Sequence, residues 1–296
     1  MVEPLTRGEA MPRNAVTDGP EGRTAGQAYE DLCARLGQER RVLVAFSGGA
    51  DSALLAVAAH RVLGAAAVAV TAVSASLPAE ERRAAAALAR RHGLAHVEVC
   101  TDELTRPEYV ANAGDRCYHC KSALFDAVAP LATLSGAVVA LGTNLDDLGD
   151  HRPGQRAAAQ RGAIAPLVDA RLTKAAVRDI SRLIGLDTAD KPAAACLSSR
   201  IAYGDPVTEE VLARIEVAED GLHRLGFPVC RVRAHAAGTV ARLELPGPDL
   251  DRAAGLRDEI DAVLRSAGFE FCTLDLQGFR SGRMNVLLGV PAVAGR

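Results

Sequence analysis

The string VLVAFSGGADSALLA occupies residues 42–56. VLVAF is a short aliphatic run of strand character; two glycines, an acid and a serine follow Ser47, and apolar residues at helical spacing begin near Ser52. A strand that enters a helix through Gly48 and Gly49 makes a turn whose backbone takes angles closed to other residues and lets a ligand come close. The first amides of that helix point outward with the positive end of its dipole, which defines an anion site. The dipole contributes roughly 0.3–1 kcal/mol. Each amide bond to a charged oxygen adds about 1.5–3 kcal/mol, so the amide nest dominates. Ser47 and Ser52 offer hydroxyls, and Asp51 offers a carboxylate for a Mg²⁺ that travels with phosphate. A tight βα turn with no ligand is the plainer alternative. The G-x-x-x-x-G-K-[ST] spacing of the Walker loop is absent, which disfavours γ-phosphate transfer.

Outward from this turn, aliphatic runs alternate with helix-period segments. VLVAF (42–46), AVAVTAV (67–73), HVEV (96–99) and AVVAL (137–141) read as strands, separated by helices at 52–63, 78–92 and 117–131. Ser76 and Pro78 open the second of these helices; Arg90, Arg91 and Gly93 close it. The alternation implies βαβ units, an α/β fold and a parallel sheet that binds ligands beyond the carboxyl ends of its strands. Asn144, Asp146 and Asp147 follow the last strand and fall on that edge, positioned for ribose, metal or substrate; turn capping explains any one of them equally well. Thr173 opens a further helix with Val177, Ile180 and Ile184 on its apolar side. The loop DKPAAACLSSRIAYGDP (190–206) has no period and marks a domain boundary. Beyond it, a helix at 208–225, strands near 229–234 and 239–245, a helix near 249–266 and a strand near 269–276 make a smaller α+β domain. The expected division is a loose tail at 1–25, a nucleotide domain at 26–195 and a second domain at 196–296, with no internal repeat.

The chain has 296 residues and a net charge of −3, with no membrane-length apolar run and no exported leader, so a cytoplasmic protein is expected. The charge balance argues against a nucleic-acid partner, which needs counterions to release. Basic residues are almost all arginine. Lys121, Lys174 and Lys191 are the lysines, and each lies in or beside a segment of functional character. Seven cysteines without an export signal do not read as a disulfide framework. Cys33, Cys100, Cys230 and Cys272 sit in apolar or alternating contexts and are expected as small core residues. Cys117 and Cys120 form a C-x-x-C, and Cys196 follows three alanines with Lys191 and Arg200 on either side, cations suited to lower a thiol's pKa. Arg200 equally suits a substrate phosphate. Strand alternation puts Arg231 and Arg233 on one face, and likewise Arg242 with Glu244. Two parallel guanidiniums can fork a phosphate, whereas a solvated charged face or a subunit interface would need no ligand.

SGGADS resembles the PP-loop of the ATP pyrophosphatases, whose domain has the adenine nucleotide alpha hydrolase-like fold. With RCYHCKSALF (116–125), GTNLDDLGDHRPG (142–154), DKPAAACLSSRIAYG (190–204), RVRAH (231–235) and LDLQGFRSGRMN (274–285), the chain from about residue 26 onward resembles the LarE family. That resemblance implies an ATP-dependent sulfur transferase. It would adenylate the carboxylates of a pyridinium-3,5-biscarboxylic acid mononucleotide and convert them to thiocarboxylates for nickel-pincer cofactor synthesis. ATP and Mg²⁺ would be held at Ser47, Gly48, Gly49, Asp51, Ser52, Asn144 and Asp146. Cys196 occupies the sulfur-donor position. In one branch of the family it is consumed, leaving dehydroalanine; in another, three cysteines at the positions of Cys117, Cys120 and Cys196 hold a [4Fe–4S] cluster with one open iron. Zinc is the rival occupant, which His119 would not readily help to bind in a tetrahedral set. Arg200, Glu219, Arg231, Arg233 and Glu244 match a phosphate- or metal-contacting group. The resemblance also implies a homo-oligomer and an outside sulfur source, either sulfide or a cysteine desulfurase. A PP-loop tRNA thiolase, an ammonia-fed synthetase and a non-catalytic nucleotide sensor are the alternatives.

Overall fold

The computed structural model describes residues 23–149, 153–192 and 195–280. The expected tail up to residue 22 lies outside these, as do Asp150, His151 and Arg152 of the GTNLDDLGDHRPG string, Ala193 and Ala194 before Cys196, and the SGRMN that ends the last quoted string. The chain forms two compact units. Within the described residues the first consists of 23–73, 79–101, 121–149 and 153–192; the second consists of 74–78, 102–120 and 195–280. Whereas the sequence reading divides the chain once, two segments of its first half belong with the later unit.

In chain order the helices are α1 (Ala25–Leu36), α2 (Ala50–Leu63), α3 (Ala79–Arg91), α4 (Pro107–Val110), α5 (Arg116–Ser135), α6 (Pro153–Gln160), α7 (Pro166–Asp169), α8 (Lys174–Leu183), α9 (Glu209–Arg224), α10 (Leu250–Gly255) and α11 (Arg257–Ser266). The strands are β1 (Val42–Ala45), β2 (Ala67–Val73), β3 (Ala95–Cys100), β4 (Val138–Ala140), β5 (Arg231–His235), β6 (Val240–Glu244) and β7 (Phe271–Leu274).

The first unit is the expected α/β structure: a four-stranded parallel sheet in the order β3-β2-β1-β4. Alternation along β1 feeds two cores. Val42 and Val44 join the core built from α1, α2 and α8, while Leu43 packs with Val70, Leu124 and Val128 beneath α5. A sheet covered on both faces needs apolar residues at successive positions, which explains why VLVA shows no polar alternation. Helix α2 is buried from Ala50 through Ala59 except for Asp51, so its small residues let the sheet and α1 approach it closely. Strand order runs one way from β1 through β2 to β3 and then returns to β4 on the opposite side of β1. The crevice beyond the carboxyl ends of β1 and β4 is therefore the switch point at which such sheets take ligands.

Helix α1 was not anticipated. Its Thr24 N-cap accepts from Gln27 N at 3.2 Å, and Gln27 Oε1 accepts from Thr24 N at 2.9 Å, a reciprocal capping box. Cys100 departs from its expected core position: it ends the edge strand β3 and is exposed. Cys230 is fully buried, and Cys33 and Cys272 are partly so.

The second unit has a three-stranded sheet, β5-β6-β7, with β5 antiparallel and β7 parallel to β6. Val232, Ala234, Ala241 and Leu243 line one face over α9 and α11, joined by Leu212, Ile215, Phe227 and Leu264. The helix expected over 249–266 is two helices, broken at Leu256 (φ −108°, ψ 26°).

Leu32 on α1 is fully buried in the first core. Leu32→Ala is expected to lower the unfolding free energy by about 2–5 kcal/mol in urea titrations.

Candidate active site

At the turn after β1, Gly48 has φ 70°, and a Cβ there would stand 3.0 Å from Cα and Cβ of Ala85. Both facts require glycine: the left-handed angle and the close approach of α3. Gly49 is the N-cap of α2 and has no side chain to occupy the helix's outward amides. Ser47 and Ser52 brace the turn from within. Ser52 Oγ donates to Gly49 O at 3.1 Å and accepts from Ser47 N at 3.2 Å, and the two hydroxyls stand 3.1 Å apart. Across the crevice the chain leaves β4 at Gly142, where an added Cβ would meet Ser52 N at 3.0 Å and the Asp51 carbonyl carbon at 3.1 Å. The two strand exits thus touch backbone to backbone.

Asp51 is bonded on both oxygens. Lys174 Nζ donates to Oδ2 at 2.5 Å, and Asn144 Nδ2 donates to Oδ1 at 3.1 Å. Asn144 Oδ1 accepts from the amides of Asp146 and Asp147 at 2.9 and 3.3 Å. The Asp146 carboxylate accepts from Lys174 N at 2.6 Å, at the start of α8, and thereby fixes where the lysine emerges. Capping, one of the two accounts open for these acids, describes what Asp146 does. Lys191 Nζ bonds Glu81 at 2.6 Å and Gly48 O at 3.3 Å, which places its charge at the phosphate turn. Sequence reasoning noticed Lys174 and Lys191 but assigned neither to this turn, and it missed Glu81. Only the rarity of lysine hinted at them.

The second unit carries the cysteines. Cys117 and Cys120 lie on the first turn of α5, three residues apart and so on one helix face; Cys196 precedes the short helical turn Leu197–Arg200. None of the three is in a disulfide; Cys117 and Cys196 are exposed, and Cys120 is half-buried. Arg200 is 3 % exposed and fixes the backbone at Cys196: Nη1 donates to Ala195 O at 2.5 Å and to Cys196 O at 2.9 Å, while Nε and Nη2 fork Glu219 at 3.1 and 3.0 Å. Glu219 also accepts from Val232 N at 3.0 Å, tying this loop to β5. Leu197 N donates to Ser76 O at 2.9 Å, and Ser198 Oγ is 2.6 Å from the Tyr109 hydroxyl. Burial raises the Tyr109 pKa, and the neighbouring Cys196 and Cys120 raise it further. The Tyr203 hydroxyl, its pKa also raised first by burial, feels Arg116, Cys117, Cys196 and Arg233. The cysteines therefore share the surroundings of two tyrosines. By contrast, burial pushes the Cys230 thiol up to about 12 and the Cys272 thiol up to about 11, values that leave both unreactive at neutral pH.

Arg231 and Arg233 share one face of β5, opposite Glu244 and Arg242 on β6. Glu244 is fully buried and accepts from Arg233 Nη2 at 2.8 Å and Arg242 Nη1 at 2.9 Å. Glu219 and Glu244 are thus engaged with arginines. Among the described residues Arg231 bonds only a carbonyl, Cys230 O at 2.7 Å, and it lies 5.3 Å from the Phe279 ring. Burial, with Arg200 and Arg233 nearby, pushes its pKa below the ordinary value. A cation destabilised in this way gains most from an anionic ligand.

A parallel sheet with this turn at its switch point defines a PP-loop nucleotide enzyme, and residues 30–133 match the asparagine synthase family model. An uncharacterized protein of Synechocystis sp. is 45 % identical over 88 % of the chain and 97 % of its own length. A protein of Lactiplantibacillus plantarum named pyridinium-3,5-bisthiocarboxylic acid mononucleotide synthase is 38 % identical over 86 % of the chain and 92 % of its own length. An uncharacterized protein of Methanocaldococcus jannaschii is 25 % identical over 82 % and 92 %. The chain belongs to the LarE family of ATP-dependent sulfur transferases. Among the described residues no helix is long and apolar enough to cross a membrane.

Gly142→Ala is expected to lower ATP turnover by roughly tenfold or more, because a shift near 1 Å in the phosphate turn is costly. Gly247→Ala, where a Cβ meets nothing within 4 Å, should leave turnover unchanged. Arg200→Ala strands the Glu219 carboxylate in the interior and should lower stability by about 3–5 kcal/mol in denaturant unfolding.

Proposed function

We propose that the protein converts the ring carboxylates of a pyridinium-3,5-biscarboxylic acid mononucleotide to thiocarboxylates, at the cost of ATP split to AMP and pyrophosphate. A carboxylate repels a thiolate. Attack of its oxygen on the α-phosphorus removes that charge, releases pyrophosphate and leaves an acyl adenylate with AMP as leaving group. The turn at Ser47, Gly48, Gly49 and Ser52 grips the departing pyrophosphate with its amides and hydroxyls. Lys174 would meet the phosphates of ATP, and Asp51, which Lys174 and Asn144 hold at the turn, would serve as a carboxylate ligand for the accompanying Mg²⁺. Arg231 and Arg233 hold the mononucleotide phosphate. Hydrosulfide presented beside Cys196 attacks the acyl carbon and gives up its proton, the acyl–oxygen bond to AMP breaks, and the product is a thiocarboxylate.

The observation that carries this reading is the set of three cysteines outside any disulfide near Tyr109 and Tyr203, in the same unit as the arginine face. Among the described residues no trio of ligand atoms that includes a cysteine lies within 4.8 Å. A single zinc ion, with Zn–S bonds of about 2.3 Å, needs sulfurs closer than that. In a [4Fe–4S] cluster each cysteine binds its own iron and the sulfurs stand farther apart, so we assign Cys117, Cys120 and Cys196 as its three thiolate ligands. When bound, such a cluster supplies an open iron for exchangeable sulfide, replenished from free sulfide or a cysteine desulfurase.

Given Mg-ATP and the diacid mononucleotide, the purified protein is expected to release pyrophosphate and AMP, with no stimulation by tRNA. Formation of ADP overturns the adenylation chemistry. Anaerobic protein should carry about four irons, and intact mass spectrometry after turnover should find Cys196 unchanged. Loss of hydrogen sulfide from Cys196 in iron-free, active protein would establish the sacrificial route instead.

A further inference from the structure

Arg116 opens α5, immediately before Cys117, and is 5 % exposed. The other buried arginines of its unit have carboxylate partners: Arg200 has Glu219, and Arg233 has Glu244. Arg116 has none among the described residues. Its Nη1 donates to the neutral Asn112 Oδ1 at 2.5 Å, and its guanidinium stands 5.8 Å from the centroid of the Tyr203 ring. Asn112 is itself fixed, with φ 53° and Nδ2 donating to Ala202 O at 2.8 Å and Asp205 O at 3.1 Å.

Fixing Asn112 accounts for a donor at this position but not for a charge. Burying a guanidinium is costly unless an anion answers it, and an amide oxygen with an aromatic face is a partial answer. The charge is also well placed: the Tyr203 hydroxyl feels Arg116 together with Cys117, Cys196 and Arg233. One cation of this group, Arg233, is assigned to phosphate and two members are sulfurs, which leaves Arg116 unassigned. The substrate proposed above is anionic at three points: its phosphate and two ring carboxylates. While one carboxylate is activated, the other remains charged and needs a partner of its own.

We propose that Arg116 binds the ring carboxylate that is not undergoing activation, and in the second round binds the thiocarboxylate already made. A guanidinium fork matches either planar anion through two parallel N–H bonds, which an ammonium does not. The assignment rests on the substrate reading of the preceding subsection and makes Arg116 a specificity residue for the diacid.

Calorimetric binding of two probes tests it: the 3,5-diacid mononucleotide and nicotinic acid mononucleotide, which lacks the second carboxylate. The unaltered protein is expected to prefer the diacid by roughly 30-fold or more. Arg116→Gln should erase that preference while leaving affinity for the monoacid and for ATP near their original values. Arg116→Lys, the safer variant for folding, should retain part of it. A preference that survives unchanged in either folded variant overturns the assignment, as does equal binding of the two acids by the unaltered protein. Failure of the unaltered protein to bind either acid is a different result, which removes the substrate reading itself.

Discussion

The backbone contact between the exits of β1 and β4 governs everything at the nucleotide end of this protein. Gly142 lies against the Asp51–Ser52 peptide with no room for a methyl group, and Gly48 turns left-handed against Ala85. Those two contacts aim the first amides of α2 into the crevice and set Asn144 against Asp51. The lysines follow. Lys174 is positioned through its own amide on Asp146, and Lys191 through Glu81 and the Gly48 carbonyl. A phosphate site made of backbone needs such rigidity, because the donors cannot rotate to find the ligand.

In the second unit the organising force is charge taken out of water. Arg200–Glu219 and Arg233–Glu244 are both buried, and each guanidinium also bonds the main chain of the cysteine loop: Arg200 at Ala195 and Cys196, Arg233 at Ser199 at 3.0 Å. A buried ion pair adds little net stability over an apolar one, but removing one partner is costly, so such pairs fix geometry. Here the geometry fixed is the path of the chain through Cys196.

The sheet, its strands and the phosphate turn were legible because each is a local pattern: aliphatic runs, paired glycines and helices with ordinary stop signals. The resemblance to LarE rested on longer strings, and the relatives bear it out. Most of what stayed hidden depends on partners distant in sequence, the exception being local. Thr24 and Gln27 form a capping box at α1, yet the loose composition before them masked it. Nothing in ELTRPEYV shows that Tyr109 will meet Ser198, 89 residues away. Cys100 was misplaced because β3 alternates like a half-buried strand, whereas it is a sheet edge. Sequence also cannot tell a guanidinium that holds a ligand from one that holds a loop. Arg200 bonds the loop at Ala195 and Cys196, a contact that its proximity to Cys196 in sequence did not reveal.

The separation between Cys196 and its anchorage has a further consequence. Main-chain carbonyls, Ser198 and Arg200 moor the loop, while the Cys196 side chain itself reaches solvent. The sulfur is therefore a replaceable part on a permanent mount. A different residue at this position would leave those moorings untouched, so the scaffold tolerates change at the sulfur without being rebuilt.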